Sequence, residues 1–141
     1  MERQEAEELF ESTFVLFRSF GRRFRREREP HYITPTQYHA LALVAERGTV
    51  TLMELAGLLR VAGPTATRTI EALVQKQLLV RDRDPQDRRI VWVRLSPAGA
   101  RLLDQERAGH VQYFQNLLAV LPREDQTALV RIMKRLAMVA P

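Results

Sequence analysis

Residues Gly63 to Ser96, GPTATRTIEALVQKQLLVRDRDPQDRRIVWVRLS, decide the fold. Pro64 suits the first turn of a helix, and Ala66, Ile70, Leu73 and Val74 then recur at helical spacing. Leu78 to Arg83 and Ile90 to Leu95 read as two strands, with Val91, Val93 and Leu95 on one face and Trp92 and Arg94 on the other. Between the strands, Asp84-Pro85-Gln86-Asp87-Arg88-Arg89 forms an Arg-rich tip. A short helix followed by a basic hairpin has the layout of a recognition helix and a wing.

The outward face of the helix carries Pro64, Thr65, Thr67, Arg68 and Ala72. Small polar residues at a helix start let it sink into a major groove, and the free N–H groups there suit phosphate. A merely solvated face more often carries Glu and Lys. In the tip, a carboxylate at Asp87 can hold an Arg two residues later in a fixed pose. A held Arg enters a narrow minor groove with less rotamer entropy to lose. The competing reading is a solvated hairpin whose ion pairs contribute under ~1 kcal/mol each.

Upstream, Val50-Thr51-Leu52-Met53-Glu54-Leu55 predicts a third helix capped by Thr51 and Glu54, with Leu52, Leu55, Ala56 and Leu59 inward. Arg60 to Gly63 is the turn that joins it to the recognition helix, which makes a helix-turn-helix. Thr49-Val50 can pair as a stub of strand. Before that, Thr34 caps a second helix, Pro35 takes its first position and Gln37 completes the capping box. Ile33 with Tyr38, and Val50 with Leu55, are spaced as hydrophobic staples. Leu41, Val44 and Ala45 continue the second helix inward to a C-cap at Gly48.

Both ends of the chain read as helical. Residues 4 to 28 carry Phe10, Phe14, Phe17 and Phe24 in one row and Leu9, Leu16 and Phe20 in a second. Two apolar rows call for two partners, the chain's own domain and a second subunit. Arg22, Arg23, Arg25, Arg26 and Arg28 match the helix dipole at its C-terminal end, and Pro30 stops it. Ser96-Pro97-Ala98-Gly99 caps a fifth helix that runs to about Val120, and Leu121-Pro122 breaks it. A last helix, Arg123 to Val139, is expected to bury Leu129, Ile132, Met133 and Leu136. The expected architecture is therefore mainly α with a small β-hairpin wing. A winged helix-turn-helix core over 34–96 is flanked by dimerisation helices at 4–28 and 97–140.

Composition narrows the function. The 141 residues are 45% hydrophobic and 28% charged, as in a globular domain. A net charge of +5 and a pI near 10.4 favour a polyanionic partner, nucleic acid or an anionic surface. Lys occurs only at Lys76 and Lys134, so the cations are almost all Arg, which suits bidentate phosphate and base contacts. With no Cys, disulfides, thiolate metal sites and thiol redox sensing are excluded. No run approaches the roughly 18 apolar residues of a membrane span and no signal peptide is visible, so a cytoplasmic protein is expected. His31, His39 and His110 are scattered, with no nucleophile and base at suggestive spacing and no phosphate-binding Gly motif. No enzyme, cofactor or metal site is therefore expected.

With this order of elements the chain resembles the MarR family of bacterial transcriptional regulators. Asp87-Arg88-Arg89 followed by VWVRLS at Val91 to Ser96 is similar to the family's D-x-R wing and its step into the next helix. Asp84-Pro85 and Gly99 match as well, and so do Thr34 to Tyr38 with Leu41, and Ala66-Thr67-Arg68 with Leu73. The resemblance implies a winged-helix homodimer on a pseudo-palindromic operator, acting as a repressor. Each recognition helix (Pro64, Thr65, Thr67, Arg68) would sit in a major groove and each Arg89 in a flanking minor groove, with Arg88 on phosphate or sharing that groove. It also implies release by a small aromatic or anionic ligand, for which His31, Tyr32, Tyr38 and His39 supply donors and rings. Core packing and capping account for those four residues equally well. Two positions depart from the family: Gln77 stands where a Gly is common, and Pro122 replaces a polar helix cap. The alternative function is a basic helical dimerisation or anionic-surface-binding module without sequence-specific regulation.

Overall fold

A computed structural model of the chain describes residues 1–24 and 32–140. Among them the elements run α1 (Arg3–Phe24), α2 (Pro35–Arg47), β1 (Thr49–Thr51), α3 (Leu52–Leu58), α4 (Gly63–Gln75), β2 (Leu79–Arg83), β3 (Val91–Leu95), α5 (Pro97–Leu118) and α6 (Arg123–Val139). The chain divides into two compact units, Met1–Leu103 and Asp104–Pro141. No helix among the described residues is long and apolar enough to cross a membrane.

In the first unit, local chemistry sets where the helices begin. Thr34 Oγ1 accepts the Gln37 N–H at 3.2 Å, and the Gln37 side chain accepts the Thr34 N–H at 3.0 Å. Thr51 and Glu54 repeat the arrangement at 3.1 and 2.9 Å. Gly48 closes α2 at φ 76, a conformation that suits a residue without Cβ. Burial then holds the helices together: Leu41, Leu55, Ile70 and Leu73 are at most 1% exposed. Burying each such side chain contributes roughly 1.5–3 kcal/mol. That exceeds the ~1 kcal/mol typical of an N-cap. Capping thus places the helix starts, and the apolar stripes supply most of the stability. Ile33 and Val50, the predicted staple residues, are both buried. Ala45 is not: it is exposed, and Ala40, one turn earlier on the Val44 stripe, takes the core position.

The three strands form one antiparallel sheet in the order β1-β3-β2. The expected stub at Thr49-Val50 is β1, which pairs Val50 with Val93. Across β2 and β3, Leu79 faces Leu95, Arg81 faces Val93 and Arg83 faces Val91. Directly opposed residues share a face. Leu79, Val93 and Val50 on that face are buried in the core, and Arg81 and Arg83 continue it toward the tip, where they are exposed.

The outer helices depart from expectation. In α1, Leu9 and Leu16 of one row and Phe10, Phe14 and Phe17 of the other are all at least half exposed, and Phe20 is partly buried; the Phe24 side chain lies outside the described residues. The exposed residues do not cover this chain's own core. The helix end at 25–28 and the stop at Pro30 lie outside the described residues. In the second unit, Ile132, Met133 and Leu136 were expected to be buried and are instead exposed, while Leu129 is partly buried. Two antiparallel helices can bury only the faces they turn to each other, so the remaining apolar stripes stay open within one chain.

Candidate nucleic-acid interface

Helix α4 buries Ala66, Thr69, Ile70 and Leu73. The opposite face leaves Pro64, Thr65, Thr67 and Arg68 exposed, and Ala72 partly so. Its N-terminus differs from those of α2 and α3. Ala62 occupies the N-cap and makes no side-chain capping bond, so the main-chain donors of the first turn have no capping side chain over them. Such a turn, with small residues around it, can receive a phosphate oxygen. Thr67 donates its hydroxyl to the Gly63 carbonyl at 3.1 Å, which leaves its methyl and its oxygen lone pairs facing outward.

Hydrogen bonds from the carboxylates Asp84 and Asp87 order the wing tip. Asp87 Oδ1 accepts both the main-chain N–H and the Nε of Arg89 at 3.0 Å, and Oδ2 accepts its Nη2 at 3.1 Å. The Arg89 side chain is nevertheless 91% exposed, so the guanidinium is fixed in pose and open to a partner. Asp84 Oδ1 accepts the N–H groups of Gln86 and Asp87 at 2.9 and 3.0 Å, and its Oδ2 accepts the Trp92 indole N–H at 2.9 Å. The Trp92 bond, followed by the two main-chain N–H groups, holds the Asp84 carboxyl below its ordinary value. The Arg89 guanidinium, then the Arg89 N–H, does the same for Asp87. Arg88 is exposed at the same tip. Lower on the hairpin, Arg94 Nε bonds Asp82 Oδ2 at 3.2 Å.

The wing is tied to the helices at Gln77 and Ser96. Gln77 adopts φ 58, so the left-handed turn after α4 is made here by a residue with a Cβ. Ser96 Oγ bonds the Gln77 carbonyl at 2.6 Å and accepts the Gly99 N–H at 2.9 Å, which starts α5 as expected. A Cβ on Gly99 would collide with the Leu78 carbonyl. Pro122 precedes α6 without a side-chain capping bond; Gln126 instead reaches back to the Leu121 carbonyl at 2.9 Å.

The structure thus brings Asp87 and Arg89 together and lines up Pro64, Thr65, Thr67 and Arg68 on one exposed face. The four expected ligand residues occupy different settings. Tyr32 is partly buried, Tyr38 packs on the core, His39 is exposed, and His31 lies outside the described residues. Two of the interactions that escaped the sequence reading stand out. The Asp84–Trp92 bond spans a hairpin and needs the strand register to be seen. The bond from Lys76 Nζ to the Tyr32 carbonyl, at 2.7 Å, joins segments that are far apart in sequence.

Residues 33–91 match the family model described as "MarR family". The chain is 33% identical over 107 residues to a helix-turn-helix-type transcriptional regulator of Mycobacterium tuberculosis, covering 76% of this chain and 73% of that protein. It is 26% identical over 126 residues to the helix-turn-helix-type transcriptional repressor MdtR of Bacillus subtilis, covering 89% and 81%. Among solved structures, an Escherichia coli MarR mutant complexed with operator DNA superposes with a TM-score of 0.71 at 25% identity, covering 94% of this chain and 95% of that one. The matched segment holds α2 to β2, the wing tip and the first residue of β3. The chain belongs to the MarR family of helix-turn-helix transcriptional regulators.

Proposed function

We propose that the chain is a cytoplasmic, non-enzymatic transcriptional repressor that binds a pseudo-palindromic operator as a homodimer. In this reading α4 enters the major groove with Pro64, Thr65, Thr67 and Arg68. Arg89 enters the flanking minor groove, and Arg88 contacts phosphate. The observation that carries it is the Asp87–Arg89 pair: a guanidinium held by two hydrogen bonds, with a third from the Arg89 main-chain N–H, yet a side chain 91% exposed. An Arg engaged only in stabilising a hairpin has no need of that exposure. The name of the Bacillus relative, a repressor, supports the direction of regulation.

A second copy is supported by charge. The groove between the distal half of α5 and α6 is lined by Arg107, Arg123, Arg131, Lys134 and Arg135 beside apolar Val111, Phe114 and Val130, and among the described residues no carboxylate lines it. The first half of α1 sets Glu5, Glu7, Glu8 and Glu11 around exposed Leu9 and Phe10. A second copy of the chain therefore carries a surface of matching polarity and opposite charge. For release, the same reading places a small aromatic or anionic ligand near Tyr32, Tyr38 and His39, with His31 in the adjoining segment. The Lys76–Tyr32 bond then links that region to the end of α4.

Footprinting on the DNA flanking the gene tests the proposal. The expected result is protection of an inverted repeat with half-sites about one helical turn apart. Equal affinity for the flanking DNA and for random duplex, at one stated salt concentration, would overturn it. Anionic vesicles outcompeting duplex would instead favour the surface-binding alternative.

A further inference from the structure

We propose that Trp92 and Asp84 are positioning residues for the wing arginine, with the indole N–H orienting the carboxylate that folds the tip around Asp87. This rests on the reading of Arg89 as a DNA contact. The connection is a continuous run of hydrogen bonds. Trp92 Nε1 donates to Asp84 Oδ2, and Asp84 Oδ1 takes the N–H of Asp87. The Asp84 N–H donates to the Ile90 carbonyl at 3.0 Å, and the Ile90 N–H donates to the Asp87 carbonyl at 3.0 Å. Asp87 is thereby held at both its N–H and its carbonyl, and its carboxylate holds Arg89.

Trp92 is suited to this task by register and by chemistry. It pairs with Asp82 on the face opposite Val93, one step below the tip, and is partly buried. Indole N–H is a donor only, so it selects the charged carboxylate as its acceptor. The terminal torsion of an Asp is broad and two-fold. Without the indole bond, only the Gln86 and Asp87 N–H groups hold the Asp84 carboxylate, through one oxygen, and the tip is less firmly fixed. The lowered Asp84 carboxyl, with the Trp92 bond as its first cause, agrees with a carboxylate held in its charged form.

A double-mutant cycle tests the proposal on the full chain. Trp92→Phe keeps an aromatic ring and removes the donor, together with part of the indole's packing surface. The probe is the duplex protected in the footprint, at one salt concentration. Trp92→Phe is expected to weaken binding about three- to tenfold, the size of one ordinary net hydrogen bond. In an Arg89→Ala background it should cost nothing further. Asp84→Asn leaves one acceptor oxygen and turns an NH2 donor toward either the indole or the two main-chain N–H groups, so it should weaken binding at least as much as Trp92→Phe. In the free protein, the Arg89 Nε–H resonance should move toward its solvent-exposed position in Trp92→Phe. Full affinity of Trp92→Phe, an equal loss in both backgrounds, or an unmoved Arg89 resonance would overturn the proposal. If Arg89→Ala itself binds as the parent does, the DNA-contact reading fails, and the resonance alone decides whether Trp92 positions Arg89.

Discussion

Arg89 presents its guanidinium edge to Asp87 as a fork, with Nε on one carboxylate oxygen at 3.0 Å and Nη2 on the other at 3.1 Å. The opposite edge stays in solvent. A lysine keeps the charge but cannot make the fork or lie flat in a narrow groove. Arg89→Lys should therefore weaken operator binding about tenfold, with the dimer mass unchanged in sedimentation. Affinity equal to the parent would mean that charge alone matters at the tip.

Gln77 sits at φ 58. The left-handed region costs a residue with a Cβ roughly 1–2 kcal/mol. Glycine removes that cost but brings roughly 0.5–1 kcal/mol of extra unfolded-chain entropy. Gln77→Gly should raise stability by up to about 1 kcal/mol, read as a higher urea midpoint at unchanged slope. A lower midpoint would show that the Gln77 side chain stabilises the turn.

Gly99 lies against the Leu78 carbonyl with no room for a methyl group. Gly99→Ala must push α5 away from the start of β2 and stretch the Ser96 bonds to Gln77 and Gly99. Overpacking of this kind costs about 1–3 kcal/mol. Thermal unfolding should fall accordingly, and an unchanged midpoint would contradict the close approach.

Among the described residues three carboxyls are held below their ordinary values, Asp84 and Asp87 from 3.8 and Glu54 from 4.5. For Glu54 the leading causes are the Thr51 N–H and then the Thr51 hydroxyl. A depressed folded value means that stability is fully present above the unfolded value and is lost as pH falls through the folded one. These groups should leave the unfolding midpoint flat from neutral pH down to about pH 5 and lower it below about pH 4. Asp84→Asn combined with Glu54→Gln should make the acid limb shallower. An acid limb of unchanged steepness would place the effect elsewhere.

How much of this could be read from sequence follows from the range of each interaction. Thr34 with Gln37 and Thr51 with Glu54 are three residues apart, so both capping boxes were legible. Asp87 and Arg89 are two apart, and their pairing was legible for the same reason. Trp92 and Asp84 meet only once the hairpin register is set, and Ser96 meets Gln77 only once β3 lies beside β2. The buried face expected for Ile132, Met133 and Leu136 failed for another reason. Helical periodicity shows that a stripe wants cover, but not whether the cover belongs to the same chain.

Arg89 is proposed as a contact that adds affinity for the operator without holding the fold or the proposed dimer together. The most direct measurement is the operator affinity of Arg89→Ala beside the parent at one salt concentration, with sedimentation mass and unfolding midpoint recorded for both. A loss of at least about tenfold, with mass and midpoint unchanged, is the predicted result. Equal affinity of the two proteins would contradict it.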